Sequence, residues 1–260
     1  MPLLELKGVS KFFGGLAALS DVSFQVQRGE ILGLIGPNGS GKTTTFNVAT
    51  GLLRRSSGNI FLNGENISKL RPDLIVKKGM GRTFQANVSF KDETCLNNLL
   101  MAQHLRLGVD PWEALLNLPR ARTREADARQ RAMELLGFVG LSEVKDEPAG
   151  KLPHGYQRAL GVTLALSTEP QLLLLDEPAT GLNPEEIKHI TALIEKLREE
   201  KGITIVLVEH NMSVVMGISD RIVVLSYGKK IAEGLPKEIT ENKDVIEAYL
   251  GTGKKGLHDA

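Results

Sequence analysis

Eight consecutive residues, Gly36-Pro37-Asn38-Gly39-Ser40-Gly41-Lys42-Thr43, fit the spacing G-x-x-x-x-G-K-[ST]. Glycines so placed let backbone N–H groups turn inward on phosphate oxygens with no Cβ in the way. The apolar run Ile31–Ile35 ahead of them reads as a buried strand, and residues 43–50 can start a helix whose N-terminus favours an anion. Lys42 is then placed to reach the β- and γ-phosphates of a nucleotide. The Thr43 hydroxyl is placed to ligate Mg2+, with Thr44 beside it among the phosphate contacts. A second cluster, Asp176-Glu177, closes the apolar run 172–175, where buried carboxylates are costly unless paired or metal-bound. That chemistry suits Asp176 to the Mg2+ shell and Glu177 to orienting and deprotonating an attacking water. A third run, 203–208, ends in Glu209-His210. A lone histidine is usually structural, but one at the carboxyl end of a core strand could donate to a γ-phosphate.

These clusters need strands that end together. Runs 31–35, 172–175, 203–208 and 221–225 lack alternation, as strands covered on both faces do, and helix-length segments separate them. The expectation is an α/β fold with a mainly parallel sheet and its ligand beyond the carboxyl ends of the strands. Segments 3–7, 19–26 and 58–63 carry β patterns with Gly-rich turns, which suggests a small antiparallel sheet at one side. About 90–168 reads as a helical insert, so 1–251 is expected to form one domain, followed by a frayed tail, 252–260. Arg120, Arg122, Arg124, Arg129 and Arg131 within the insert read as a solvated helix face, or more sharply as a phosphate- or headgroup-facing patch. One helix is legible at both ends: Asn183 caps, Pro184 follows, Glu185 and Glu186 suit the dipole, and Gly202 stops it.

Composition narrows the classes. With 32 Lys+Arg against 31 Asp+Glu the net charge is +1, which argues against nucleic acid as a partner. A single cysteine, Cys95, excludes an internal disulfide or a multi-cysteine metal site and reads as a half-buried apolar residue. No run of about 18 apolar residues exists, so a cytosolic protein is expected.

In order along the whole chain, the motifs resemble the ATP-binding subunits of ABC transporters. Lys11-Phe12-Phe13-Gly14 is similar to the family's adenine-stacking aromatic loop, with Phe13 the ring expected to stack. Gly81-Arg82-Thr83-Phe84-Gln85 resembles the Q-loop, Gly181-Leu182-Asn183-Pro184 the D-loop, and His210 the switch histidine. Leu152-Pro153-His154-Gly155-Tyr156-Gln157-Arg158 stands where the family signature, usually L-S-G-G-Q, would be. The resemblance implies an ATPase using ATP and Mg2+, with catalysis resting on Lys42, Gln85, Glu177 and His210, and metal contacts from Thr43, Gln85 and Asp176. It also implies a head-to-tail pair of ATPase subunits, each ATP clamped between one phosphate loop and the partner's signature. Membrane permease subunits, and indirectly an extracytoplasmic solute-binding protein, complete such a machine at the cytoplasmic face of the membrane.

Finer stretches, among them Phe13-Gly14-Gly15-Leu16-Ala17-Ala18-Leu19 and Asp244-Val245-Ile246-Glu247-Ala248-Tyr249-Leu250-Gly251, are similar to importers of branched-chain amino acids. Those commonly pair two different ATPases, so a heterodimer is implied over a homodimer. Urea or amide importers and lipopolysaccharide export are the alternatives, since their ATPases are nearly alike. Only residues 86–151 separate the Q-loop from the signature, too few for the coiled coil of chromosome ATPases. The signature departs from the family: Pro153 replaces the usual serine and His154 the first glycine. Losing a hydroxyl bond to a charged phosphate costs about 1.5–3 kcal/mol, so the expectation is a weakened site or His154 acting as the donor. Phe90, Leu96, Leu99 and Leu100 could be core or could line a groove for a permease helix.

Overall fold

The computed structural model describes residues 1–83, 90–107 and 119–251. In chain order the strands are β1 (Leu4–Phe13), β2 (Leu16–Val26), β3 (Ile31–Ile35), β4 (Ser57–Leu62), β5 (Glu65–Asn66), β6 (Met80–Arg82), β7 (Leu172–Asp176), β8 (Thr204–Val208), β9 (Arg221–Ser226) and β10 (Lys229–Gly234). The helices are α1 (Lys42–Ala49), α2 (Pro72–Lys77), α3 (Cys95–Leu107), α4 (Pro119–Phe138), α5 (His154–Leu166), α6 (Pro184–Lys201), α7 (Met212–Ile218), α8 (Pro236–Glu241) and α9 (Lys243–Gly251), with a 3-10 turn at Ala149–Lys151.

Two sheets form. One is antiparallel, in the order β2-β1-β4-β5; the other runs β10-β9-β3-β8-β7-β6, parallel from β9 to β6, with β10 antiparallel at its edge. Every residue of β3, β7 and β8 is buried, which is why these runs show no alternation. The mixed architecture agrees with the α/β expectation. β6 was not anticipated: three residues, Met80-Gly81-Arg82, give too short a pattern to read from sequence, yet they pair in parallel with β7.

A core layer between the two sheets draws on Leu4, Leu6, Val22, Phe24, Leu32, Leu34 and Phe46; the other side of the parallel sheet packs on α5, α6 and the helical insert. Cys95, Leu96 and Leu99 are fully buried there, while Phe90 is 61% exposed, so the expected choice between core and groove splits by residue. On α4, Arg124, Arg129 and Arg131 are exposed while Ala128 and Ala132 are buried, which favours solvated side chains over a buried phosphate-facing patch. Helix α6 follows its sequence signals: the Asn183 side chain accepts from Glu185 and Glu186 N–H, a capping box is complete, and Gly202 at φ 64° ends it. The tail 252–260 and the side chains of Arg120 and Arg122 lie outside the described residues.

Candidate nucleotide site

Parallel pairing brings the chemistry together. Asp176, the last residue of β7, stands opposite Val208, the last of β8, so Glu177 and His210 leave adjacent strands side by side. Strand β3 lies beyond β8 and runs straight into Gly36. Gly36 (φ 151°) and Gly41 (φ 104°) adopt left-handed conformations, and a Cβ on either would lie within 2.8 Å of a backbone oxygen. Gly41 caps α1 with no side-chain bond, and no acid occupies the first turn, so the amides of that turn face an anion-compatible space. Lys42 is buried, its Nζ donating to the Gly36 carbonyl at 2.7 Å and the Pro37 carbonyl at 3.1 Å. Burial holds its pKa below the ordinary lysine value, and the Glu177 and Asp176 carboxylates oppose that shift. Asn38, Gly39 and Thr43 are exposed, Pro37 and Thr44 half-buried, and Ser40 buried.

Glu177 sits at φ 52°, a strained conformation for a glutamate, held where its N–H donates to the Val208 carbonyl at 2.8 Å. Its Oε1 is 2.8 Å from His210 Nε2, and Thr180 Oγ1 donates to its Oε2 at 3.4 Å. An ionised carboxylate only accepts, so Nε2 carries the hydrogen in that pair. Asp176 is 2% exposed in its side chain; its Oδ2 takes an Arg82 arm at 2.8 Å, while its buried Oδ1 has no partner among the described residues. That orphaned oxygen suits a hard cation, so the residues present fit Mg2+.

Sequence reasoning overlooked Glu209. Its carboxylate is buried and accepts Ala179 N–H at 2.5 Å, His210 N–H at 3.0 Å and Asn211 N–H at 3.4 Å. It therefore ties the turn after Glu177 to the loop bearing His210. Burial pushes its pKa above 4.5, those three amides pull it back, and Glu177 adds to the rise. Upward from pH 4.5 the folded chain then binds more protons than the unfolded chain, so this group costs stability as pH rises through its folded pKa. Glu209→Gln removes the titration: its melting temperature relative to the parent should climb from about pH 4.5 toward neutrality. A difference flat across that window contradicts the assignment.

The signature stretch begins α5, with His154 first, Gly155 second and Pro153 in the capping position without a side-chain bond. Gly155 N–H instead donates to Glu186 Oε1 on α6 at 3.0 Å, while Glu186 Oε2 takes Asn183 N–H at 3.0 Å. The Asn183 and Gly155 amides lower the Glu186 pKa. One carboxylate thus joins Gly181-Leu182-Asn183 to the signature, and a Cβ at Gly155 would press on its side chain at 3.0 Å. His154 and Tyr156 are exposed; Leu152 is buried and accepts the Gln157 side-chain amide through its carbonyl at 2.8 Å. Phe13 is 49% exposed beside Phe12 at 47%, with Lys11 Nζ 4.8 Å above its ring. Lys42, Asp176, Glu177 and His210 share one face, while Phe13 and the signature lie on other elements and Gln85 lies outside the described residues.

Two family models match: ABC transporter over residues 19–180, and Branched-chain amino acid ATP-binding cassette transporter over 229–255. The chain is 44% identical to the high-affinity branched-chain amino acid transport ATP-binding protein BraF of Pseudomonas aeruginosa, over 96% of this chain and 98% of that one. It is 43% identical to LivG of Escherichia coli K12, with the same coverage. A nucleotide-free ATP-binding cassette from an ABC transporter superposes with a TM-score of 0.85 at 32% identity, covering 96% of this chain and 99% of that one. A dimeric cassette in a post-hydrolysis state, bound to ADP and Pi, gives 0.75 at 26% identity over 90% and 98%. Among the described residues no helix is long and apolar enough to cross a membrane. The chain belongs to the ABC transporter family, as an ATP-binding cassette of its branched-chain amino acid branch.

Proposed function

We propose that this chain is the ATP-hydrolysing subunit of an importer of branched-chain amino acids, working at the cytoplasmic face of the membrane. The observation that carries the ATPase reading is the convergence of Lys42, Asp176, Glu177 and His210 at three neighbouring strand ends. Names of close relatives carry the cargo. In this reading Gly36–Thr44 holds the triphosphate of ATP, Phe13 stacks on adenine, and Asp176, Thr43 and Gln85 hold Mg2+. When bound, Mg2+ neutralises charge developing on the phosphates. Glu177 orients a water and takes its proton, and the His210 Nε2–H that holds the Glu177 carboxylate here is the donor that turns toward the γ-phosphate when ATP is bound. Residues 1–251 act as one cassette.

A second ATPase subunit, most simply a paralogue, brings its own phosphate loop to residues Leu152–Gln157 and Gly181–Asn183 of this chain. Permease subunits and an extracytoplasmic solute-binding protein define the cargo. A groove of about 560 Å3, lined by Ile75, Met80, Phe90, Met101, Val162 and Ala165, lies between the core and the helical insert and suits an apolar permease helix. Coexpression with neighbouring permease genes should yield a complex whose uptake of labelled leucine depends on ATP. Uptake of urea or short amides without leucine uptake refutes the cargo.

Pro153 leaves the first amides of α5 without a side-chain cap, and Glu186 fills part of that role. Pro153→Ser in the assembled transporter restores a hydroxyl to the site completed by this signature, and the ATP concentration for half-maximal turnover should fall about tenfold. No gain in affinity or rate means that the departure costs nothing.

A further inference from the structure

Arg82 ends β6, the strand that leads toward Gln85, and its guanidinium is buried against Asp176. One arm donates to Asp176 Oδ2 at 2.8 Å and another to Asn47 Oδ1 of α1 at 2.7 Å. The group also stands over the Phe46 ring, 5.4 Å from its centroid. Side-chain exposure is 7% for Arg82 and 2% for Asp176. The next residue, Thr83, accepts the Asp176 backbone N–H on its Oγ1 at 3.1 Å. The last residue of the edge strand and the residue that follows it therefore hold both the backbone and one carboxylate oxygen of Asp176. The other oxygen, Oδ1, is left buried and without a partner among the described residues.

The anchoring decides between two roles for a buried cation here. An arginine that only stood in for a metal would need a position to retreat to when the metal came. This one is tied to Asn47, to Phe46 and to its own strand, so it belongs to the scaffold. A planar fork can also satisfy Asp176 and Asn47 at once, which a lysine's single ammonium cannot do at the same geometry. Groups behind a metal ligand orient it and tune its affinity.

The geometry points to Arg82 as a positioning residue for Mg2+: it holds Asp176 by Oδ2 so that Oδ1 faces the metal's shell. The inference rests on the reading that Asp176 holds Mg2+. It adds that α1, which follows the phosphate loop, and the strand leading to Gln85 are both tied to the metal site through one guanidinium. A shift of either element reaches Asp176 directly.

The test uses the full chain, a fluorescent ATP analogue titrated with Mg2+ or in EDTA, and Mn2+ binding to the ATP complex followed by electron paramagnetic resonance. Arg82→Lys keeps the charge and loses the fork; Asn47→Ala keeps the ion pair and frees its far anchor. Both should bind nucleotide in EDTA as the parent does. Metal affinity of the ATP complex should fall about tenfold or more in Arg82→Lys and by less in Asn47→Ala. Unchanged metal affinity in folded Arg82→Lys overturns the inference, and so does a rise, which would make Arg82 a competing cation. If Arg82→Lys does not fold, parental metal affinity in Asn47→Ala overturns it. If the parent itself binds ATP equally well with and without Mg2+, the metal reading of Asp176 fails, an outcome distinct from a parent that responds to metal and a variant that responds equally.

Discussion

Glu177→Gln lowers ATP turnover by about 10²- to 10⁴-fold and leaves ATP binding intact. The substitution is nearly isosteric, and the amide oxygen can still accept from His210 Nε2, which lies 2.8 Å from Glu177 Oε1. What disappears is the ability to take a proton from water. The left-handed backbone at φ 52° holds this side chain at the strand end whether it is acid or amide, so the loss should appear in kcat far more than in KM. ATP-bound subunits that cannot hydrolyse should accumulate as a closed pair with the partner ATPase. Phosphate release, nucleotide binding and size-exclusion chromatography with ATP check the three parts. Turnover equal to the parent's removes Glu177 as the base. His210→Ala provides a second reading of the same pair: if the histidine works by holding Glu177, combining the two substitutions should cost little more than the larger one alone.

Much of this candidate site was legible because its residues sit in local strings. The phosphate loop, the acids closing β7 and the histidine after β8 each follow a fully buried strand, and uninterrupted apolar runs reveal such strands without any knowledge of pairing. The capping box of α6 is equally local. What stayed hidden depends on contacts between distant segments. Glu209 looks like any strand-end acid until its carboxylate is seen bridging Ala179 to His210, 30 residues apart in sequence in the first of those bonds. Arg82 stands 94 residues from Asp176, on a strand too short to announce itself. Glu186 reads as a capping residue for its own helix, and nothing local says that it also serves the amide of Gly155, 31 residues earlier. The Pro153 departure could be seen in the sequence, but the group that partly compensates for it could not.

Gly36→Ala should abolish nucleotide binding and destabilise the chain by about 3 kcal/mol or more, whereas Gly39→Ala costs only about 1–2 kcal/mol. Both positions have positive φ, 151° at Gly36 and 77° at Gly39, so conformational strain alone does not separate them. Space does. A Cβ at Gly39 meets nothing within 4 Å, while one at Gly36 would stand 2.0 Å from the Leu225 carbonyl oxygen and 2.6 Å from Ser40 Oγ. Ser40 can turn away; Leu225 cannot, because it lies fully buried in β9, which pairs with β3 immediately before the loop. The Gly36 backbone has a second neighbour. Tyr249 of α9 packs on the cluster of Ile35, Ile239 and Val245, and its buried hydroxyl faces the Gly36 backbone, burial pushing its pKa up to about 12. The added methyl must therefore displace the loop itself and swing the amides of 36–41 off the phosphates. Urea denaturation and nucleotide titration of the two variants decide the matter: equal losses at 36 and 39 would mean that the contact with β9 yields, and that strain, not packing, sets the loop.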